Sequence, residues 1–441
     1  MNNTIGLVSL GCAKNEIDAQ LLLGALREAG YAISPNPNEC GVVIINTCGF
    51  IESAKQEAID TILEFAALKQ ARVVGALLVT GCLAQRYKDE LAGEMPEVDG
   101  ALGIGGNGEI VRAVEALMRG ERYFAFGERE ELPFEGSRML TGPAYSVYLK
   151  IAEGCDNRCS FCAIPDIRGR FRSRPKEKIL AEARRLIEAG AVELNLVAQD
   201  TTRYGEDIYG RLALPELLRE LCKIDGLRWL RLLYCYPDRM TDELLETMAA
   251  QPKIVKYIDL PVQHGVGKVL REMNRSGDAS SLLGLLEKIR RMIPGVVLRT
   301  TLIAGFPGES EEEFTQLCEF VQAARFERLG CFAYSQEEGT PAGERTDQLD
   351  EETKRRRADI IMETQAGIAL EIAAGMTGQT LEVLCEGHDK QRQEYFGRAH
   401  ADAPDIDTKV YFTADTLPTA GSFVTVEITG AEGYDLVGSI K

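Results

Sequence analysis

The chain has 441 residues, of which 45% are hydrophobic and 27% charged, with a formal net charge of -18. At roughly 150 residues per domain this is a globular protein of two to four domains. No apolar run approaches the ~20 residues of a membrane span, and the start, MNNTIGLVSLGC, has neither a basic leader nor a long apolar stretch, so a cytoplasmic protein is expected. The acidity argues against general nucleic-acid binding, which leaves a footprint of clustered Lys and Arg. Twelve cysteines in a reducing compartment point to metal binding, catalysis or core filling, not to a disulfide framework.

The first segment, residues 1–136, repeats one pattern three times: an apolar strand, a cysteine in the turn, then a helix-like stretch. IGLVSLGC reaches Cys12, VVIINTC reaches Cys48 and GALLVTGC reaches Cys82. The intervals suit a strand plus a crossover helix, so an open parallel α/β sheet is expected with the cysteines at equivalent strand tips. In such sheets that edge binds ligands. A single buried strand-end cysteine is ordinarily a small core hydrophobe. Three in register point instead to a second iron-sulfur cluster, with Gly11, Gly49 and Gly81 permitting tight turns beside it. The segment also holds GIGGNG, Gly103 to Gly108, at the end of the βα series instead of opening it. It reads as a permissive turn, with a nicotinamide site as the alternative.

Residues 137–373 carry six strand patterns separated by helices: SVYLKIA, VELNLVA, WLRLLYC, VKYIDLP, VVLRTTLIA and RLGCFAY. They predict a partial (β/α)6 barrel with its chemistry at the C-terminal strand ends. After the first strand comes EGCDNRCSFCAIP, with Cys155, Cys159 and Cys162 at spacing C-x3-C-x2-C. Three grouped thiolates with no fourth nearby leave one iron of a 4Fe-4S cluster open, whereas a structural zinc site normally closes with a fourth Cys or His. The spacing, with Phe161 before the last cysteine, resembles the radical S-adenosylmethionine superfamily. That resemblance implies a cluster whose open iron chelates S-adenosylmethionine and, once reduced, generates a 5'-deoxyadenosyl radical. Gln199 and Asp200 after the second strand, Gln263 and His264 after the fourth, and Gly305 to Glu309 after the fifth are candidates to contact S-adenosylmethionine or substrate. Equally, they are loop caps and turn residues.

Two basic runs follow. Arg168, Arg170, Arg172, Arg174, Lys176 and Lys178 suit carboxylate or phosphate recognition, or a solvated loop. Lys354 to Arg357 reads as a charged helix face. Residues 374–441 alternate short strands with turn residues, which predicts a small OB-like β-barrel. Its net charge is negative, with Asp402, Asp405 and Asp407 in one loop, a surface expected to repel RNA and attract a basic protein. Cys40, Cys222, Cys235, Cys318, Cys331 and Cys385 show no ligand spacing and are assigned to cores or surfaces.

The order of these parts is similar from end to end to the methylthiotransferase family, on the motifs SLGCAKN, NTCGFI, TGCLAQR, EGCDNRCSFCAIP, RGRFRSRP and GFPGE. SLGCAKN and the acidic DAPDID loop resemble its ribosomal-protein branch, which modifies an aspartate of small-subunit protein S-twelve. The resemblance implies a terminal TRAM barrel and two 4Fe-4S clusters: Cys155, Cys159 and Cys162 as catalytic ligands of the radical-generating cluster, and Cys12, Cys48 and Cys82 as ligands of an auxiliary cluster where the methylthio group is assembled. It also implies a one-electron reductant such as flavodoxin or ferredoxin. The alternatives are a tRNA-adenosine methylthiotransferase and a non-enzymatic iron-sulfur electron carrier or RNA-binding scaffold.

Overall fold

The computed structural model describes residues 3–131, 135–414 and 417–441. Apolar runs that alternate with helices pair in parallel, because a strand can re-enter beside its predecessor in the same direction only after a crossover. Strands β1 (Thr4–Ser9), β2 (Ala32–Ile33), β3 (Val42–Thr47), β4 (Ala76–Gly81), β5 (Gly100–Leu102) and β6 (Tyr123–Ala125) form a parallel sheet in the order β2-β1-β3-β4-β5-β6. β3 and β4 are buried at every position, as central strands covered on both faces should be. Helices α1 (Ala13–Glu28), α2 (Glu52–Gln70), the short α3 (Cys82–Arg86) and α4 (Lys88–Glu94), and α5 (Ile110–Met118) follow the strands. Leu22, Leu26 and Val114 pack on Ile44 and Leu78 from one face, while Ile62 and Phe65 pack on Val43 and Val79 from the other.

The glycine run ahead of α5 has a packing role. A Cβ at Gly105 would lie 2.0 Å from the carbonyl oxygen of Glu128, and one at Gly106 would lie 2.2 Å from that of Ala125. The glycines thus admit the close approach of the end of β6 and the chain that follows it.

The chain divides into two compact units. The first comprises Met1–Gly142, Ala152–Arg174 and Ser335–Glu344, so it includes the C-x3-C-x2-C loop. The chain passes through β7 (Ser146–Lys150), which belongs to the second unit, and then supplies the first unit with β8 (Ala152–Glu153). This short strand pairs antiparallel with β9 (Arg172–Ser173).

In the second unit β7 is joined by β10 (Glu193–Val197), β11 (Trp229–Leu232), β12 (Ile254–Asp259), β13 (Val297–Ala304) and β14 (Arg328–Ala333). All pair in parallel, in the order β14-β13-β12-β11-β10-β7, the six βα units that the sequence patterns imply. Strands β15 (Thr380–Asp389), β16 (Glu394–Ala399), β17 (Val410–Thr413), β18 (Phe423–Glu432) and β19 (Asp435–Ile440) close into a barrel around Val383, Phe412, Val426 and Ile428.

Buried charge joins this barrel to the sheet. Glu193 accepts hydrogen bonds from Arg398 at 2.7 Å, Arg231 at 3.1 Å and the Ser146 hydroxyl at 2.7 Å. The loop between β16 and β17 continues the contact. Asp402 accepts from Arg328 at 2.7 Å and Thr408 at 2.8 Å, Asp405 from Tyr148 at 3.1 Å, and Asp407 from Tyr257 at 2.6 Å. Glu193 and Arg328 each begin their strand and Tyr148 and Tyr257 lie within theirs, so the barrel and its loop contact both the starts and the middles of the strands. This corrects the expectation of an acidic loop offered to a basic partner: Asp402 and Asp407 are neutralised within their own unit. The run from Lys354 to Arg357 is likewise not a simple solvated face. Lys354 and Arg357 are buried, and Arg357 donates to Glu309 at 2.7 Å and to Glu311 at 2.7 Å.

Burial alone would raise the pKa of Glu193, but Arg398 and Arg231 outweigh it and hold the carboxyl down to about 2 from its ordinary 4.5. A depressed carboxylate pKa means that the unfolded chain binds the proton first, so the stabilisation is full above pH 4.5 and is lost as pH falls toward 2. Glu193→Gln removes that acid-side slope. It also leaves two buried guanidinium groups without their shared counter-charge, at a cost of ~3–5 kcal/mol, read as a lower urea midpoint at neutral pH.

Candidate metal centre

β1, β3 and β4 are adjacent, so the turns leaving their C-terminal ends lie side by side. Register pairs Ser9 with Asn46 and Thr47 with Gly81, which places Cys12, Cys48 and Cys82 just beyond three neighbouring tips. Cys12 is the N-cap residue of α1, and Cys82 opens α3. The turns are nested closely. A Cβ at Gly11, where φ is +92°, would stand 3.1 Å from Cys48 Sγ, and one at Gly49 would stand 2.7 Å from the Cα of Leu83. Among the described residues, no three His, Cys, Asp or Glu side chains converge closely enough to hold one metal ion. A 4Fe-4S core takes each thiolate on a different iron, so the three thiols need not meet at one point.

Asn15 organises that site. Fully buried, its Nδ2 donates to the carbonyls of Leu10 at 3.0 Å and Thr47 at 2.9 Å, which ties the first cysteine turn to the end of β3. Its Oδ1 accepts from Arg168 Nη2 at 2.6 Å, with Cys82 Sγ 3.6 Å away. Asn46 returns the bond, donating to the Asn15 carbonyl at 2.8 Å.

Arg168 comes from the other cysteine group. It ends the short helix α6 (Ile164–Arg168), which follows Cys162 directly. Only 1% exposed, it donates to Glu153 at 2.9 Å and Asp18 at 2.9 Å as well as to Asn15. Cys82 packs against Ala163 and Ile167 of the same segment. The positive charge differentiates the thiols. Crowding by the protein disfavours the Cys12 thiolate, but Lys14, Arg168 and the backbone N–H groups of Asn15 and Lys14 prevail and lower its pKa. Burial raises that of Cys48, and it pushes Cys82 up to about 12 despite Arg168.

The loop bearing Cys155, Cys159 and Cys162 is clamped at its base by the β8–β9 ladder and by the bond from the Cys155 N–H to the Gly169 carbonyl, 3.1 Å. Gly154 has φ of +73°, and a Cβ there would lie 2.1 Å from the Arg170 carbonyl oxygen, so only glycine admits this closure. Inside the loop Arg158 also takes a positive φ, +48°, and the Cys162 N–H bonds the Cys159 carbonyl at 3.0 Å. All three cysteines are half-buried. The segment Ser335–Glu344 braces both groups: the Ala342 N–H donates to the Ser160 carbonyl at 2.9 Å, while buried Glu337 receives Arg86 at 2.7 Å and Lys55 at 3.2 Å.

The other candidates lie in the second unit. Gln199 and Asp200 directly follow β10; Asp200 is buried and accepts from Thr202 at 2.6 Å and Arg239 at 3.2 Å. The Val266 N–H donates to His264 Nδ1 at 3.0 Å, which leaves the proton on Nε2 for Glu309, 3.1 Å away. Glu309 also receives the Gly305 N–H at 3.1 Å, so the GFPGE turn and His264 form one internal network. Asn15, Asp18 and Glu153 carry no metal-ligand spacing and were not singled out by the sequence. The available signals were the place of Asn15 at the end of SLGCAKN, that of Glu153 at the start of EGCDNRCSFCAIP, and that of Asp18 in the second turn after Cys12.

Three family patterns match: Uncharacterized protein family UPF0004 at residues 4–103, Radical SAM superfamily at 149–321 and TRAM domain at 377–440. The chain is 48% identical over 440 residues to ribosomal protein uS12 methylthiotransferase RimO of Desulforamulus reducens, covering 99% of both chains. The chain belongs to the RimO family. With RimO of Geobacter sulfurreducens identity is 46% over 439 residues, covering 99% of this chain and 98% of the relative. Among solved structures, the radical S-adenosylmethionine methyltransferase TsrM of Kitasatospora setae shares the fold at a TM-score of 0.57 and 14% identity, covering 88% of this chain and 79% of that one.

The uneven environments predict an order of alkylation. In anaerobic metal-free protein near neutral pH, iodoacetamide should reach exposed Cys12 first and buried Cys82 last, read by peptide mass spectrometry.

Proposed function

We propose that this protein methylthiolates ribosomal protein uS12, the substrate in the RimO relatives' name, and that the modified atom is the β-carbon of an aspartate, where one C–H bond is replaced by C–S–CH3. The supporting observation is the full-length relationship to these enzymes together with two cysteine triads in one compact unit. The donor sets fit iron-sulfur clusters: thiolates are the ordinary ligands, and each triad leaves one iron of a 4Fe-4S core without a protein thiolate. Cys155, Cys159 and Cys162 would hold one cluster and Cys12, Cys48 and Cys82 the other. When bound, the clusters and S-adenosylmethionine supply one-electron activation of an inert C–H bond and the methylthio group.

The chain's own residues perform the positioning. The β8–β9 ladder and Gly154 fix where the Cys155 loop leaves the fold. Asn15 holds two of the three strand-end turns in register, and Glu337 with Ala342 fastens both regions to one segment. Gln199 and Asp200, at the end of β10, are assigned to the S-adenosylmethionine side. There Asp200 acts through Thr202 and Arg239, both of which bond its carboxylate. A flavodoxin- or ferredoxin-like donor supplies electrons, and the cytoplasm is the compartment this chemistry needs. Among the described residues no helix is long and apolar enough to cross a membrane.

Two single substitutions separate the roles of the triads. Cys155→Ala abolishes reductive cleavage of S-adenosylmethionine and all product, whereas Cys12→Ala retains cleavage but yields no methylthio adduct on purified uS12. A methylthio adduct on tRNA with none on uS12 would overturn the substrate assignment.

A further inference from the structure

Arg168 has a part that its place in a basic run does not suggest. It grows from the loop of one cysteine triad, six residues after Cys162, yet its guanidinium is buried beside the other triad. Two carboxylates, Asp18 and Glu153, hold it at 2.9 Å each, and Asn15 receives its Nη2 at 2.6 Å. The Asn15 oxygen that receives Arg168 lies 3.6 Å from Cys82 Sγ, and Cys82 packs against Ile167, the residue before Arg168. The opposing charges in the same region are Asp18, Glu153 and the thiolates, so Arg168, with Lys14 beside Cys12, supplies the compensating positive charge.

An ion pair this deeply buried is a poor way to gain stability, because desolvation offsets most of the attraction. Its arrangement suits a different task. A fixed cation beside a cluster stabilises the reduced form, which carries one more negative charge, and so raises the reduction potential; cluster potentials respond to net charge and to hydrogen bonds near sulfur. The two carboxylates act in the opposite sense and also lock the guanidinium so that it cannot turn away. We infer that Arg168 is a positioning residue that sets the reduction potential of the cluster held by Cys12, Cys48 and Cys82, and that it makes this potential depend on the placement of the Cys155 loop. The inference rests on the reading that the N-terminal triad holds a cluster.

The test uses the full chain carrying Cys155→Ala, Cys159→Ala and Cys162→Ala, so that only the N-terminal cluster remains. It is reconstituted anaerobically with iron and sulfide and titrated by EPR-monitored reduction. Relative to this parent, Arg168→Gln should shift the midpoint to more negative potential, Arg168→Lys should restore most of the shift, and Asp18→Asn should move it to more positive potential. A misfolded chain cannot produce shifts of opposite sign from the two members of one ion pair. If Arg168→Gln does not fold, Asp18→Asn decides alone: an upward shift supports the assignment and an unchanged midpoint overturns it. Unmoved midpoints in iron-loaded Arg168→Gln and Asp18→Asn would overturn the role of Arg168 while leaving the cluster intact. A parent that takes up no iron would overturn the cluster reading and this inference with it.

Discussion

A buried guanidinium shared between two cysteine groups is the constraint on which the first unit depends. Arg168 cannot sit in the protein interior without carboxylate partners, because removing an unpaired charge from water costs far more than packing returns. Asp18 and Glu153 supply them from α1 and β8, and Asn15 adds a neutral acceptor that is itself bonded to two strand-end turns. The loop carrying Cys155, Cys159 and Cys162 is thereby held to the sheet that carries Cys12, Cys48 and Cys82. Closing this loop on its own ladder fixes its base, and the Arg168 contacts, with the bond from the Ala342 N–H to the Ser160 carbonyl, fix its far side.

The second unit is organised by the same kind of interaction with a different result. Glu193 at the start of β10 binds Arg231 and Arg398, and Asp402 and Asp407 bind residues of β14 and β12. Here buried charge joins a small barrel to the starts and middles of the strands of a parallel sheet. The C-terminal ends, where parallel α/β sheets carry their chemistry, are left to other residues. In both units charged side chains that look solvent-facing in the sequence serve as internal connectors.

The alternation of strands and helices, the three strand-end cysteines and the five short terminal strands were legible because each rests on a local period or spacing. Ionic partners were not. Nothing in IRGRFRSRP distinguishes buried Arg168 from Arg170, whose side chain is 79% exposed, since the difference is made by Asp18, some 150 positions away in the chain. The acidic loop misled for the same reason: its charge was countable, but Arg328 and Arg299, which face Asp402 and Asp407, lie in distant segments. The glycine run before α5 is a 3-10 helix, Ile104–Glu109, more regular than the permissive turn the sequence suggests, and its glycines are required by the chain packed against them.

The central claim is that one compact unit holds two independent iron-sulfur clusters on six cysteines. Anaerobic reconstitution followed by chemical iron analysis and Mössbauer spectroscopy tests it most directly. The account predicts about eight irons per chain in two 4Fe-4S environments, falling to about four when either triad is replaced by alanine. About four irons in the intact protein, or the loss of all iron on replacing a single triad, would contradict it.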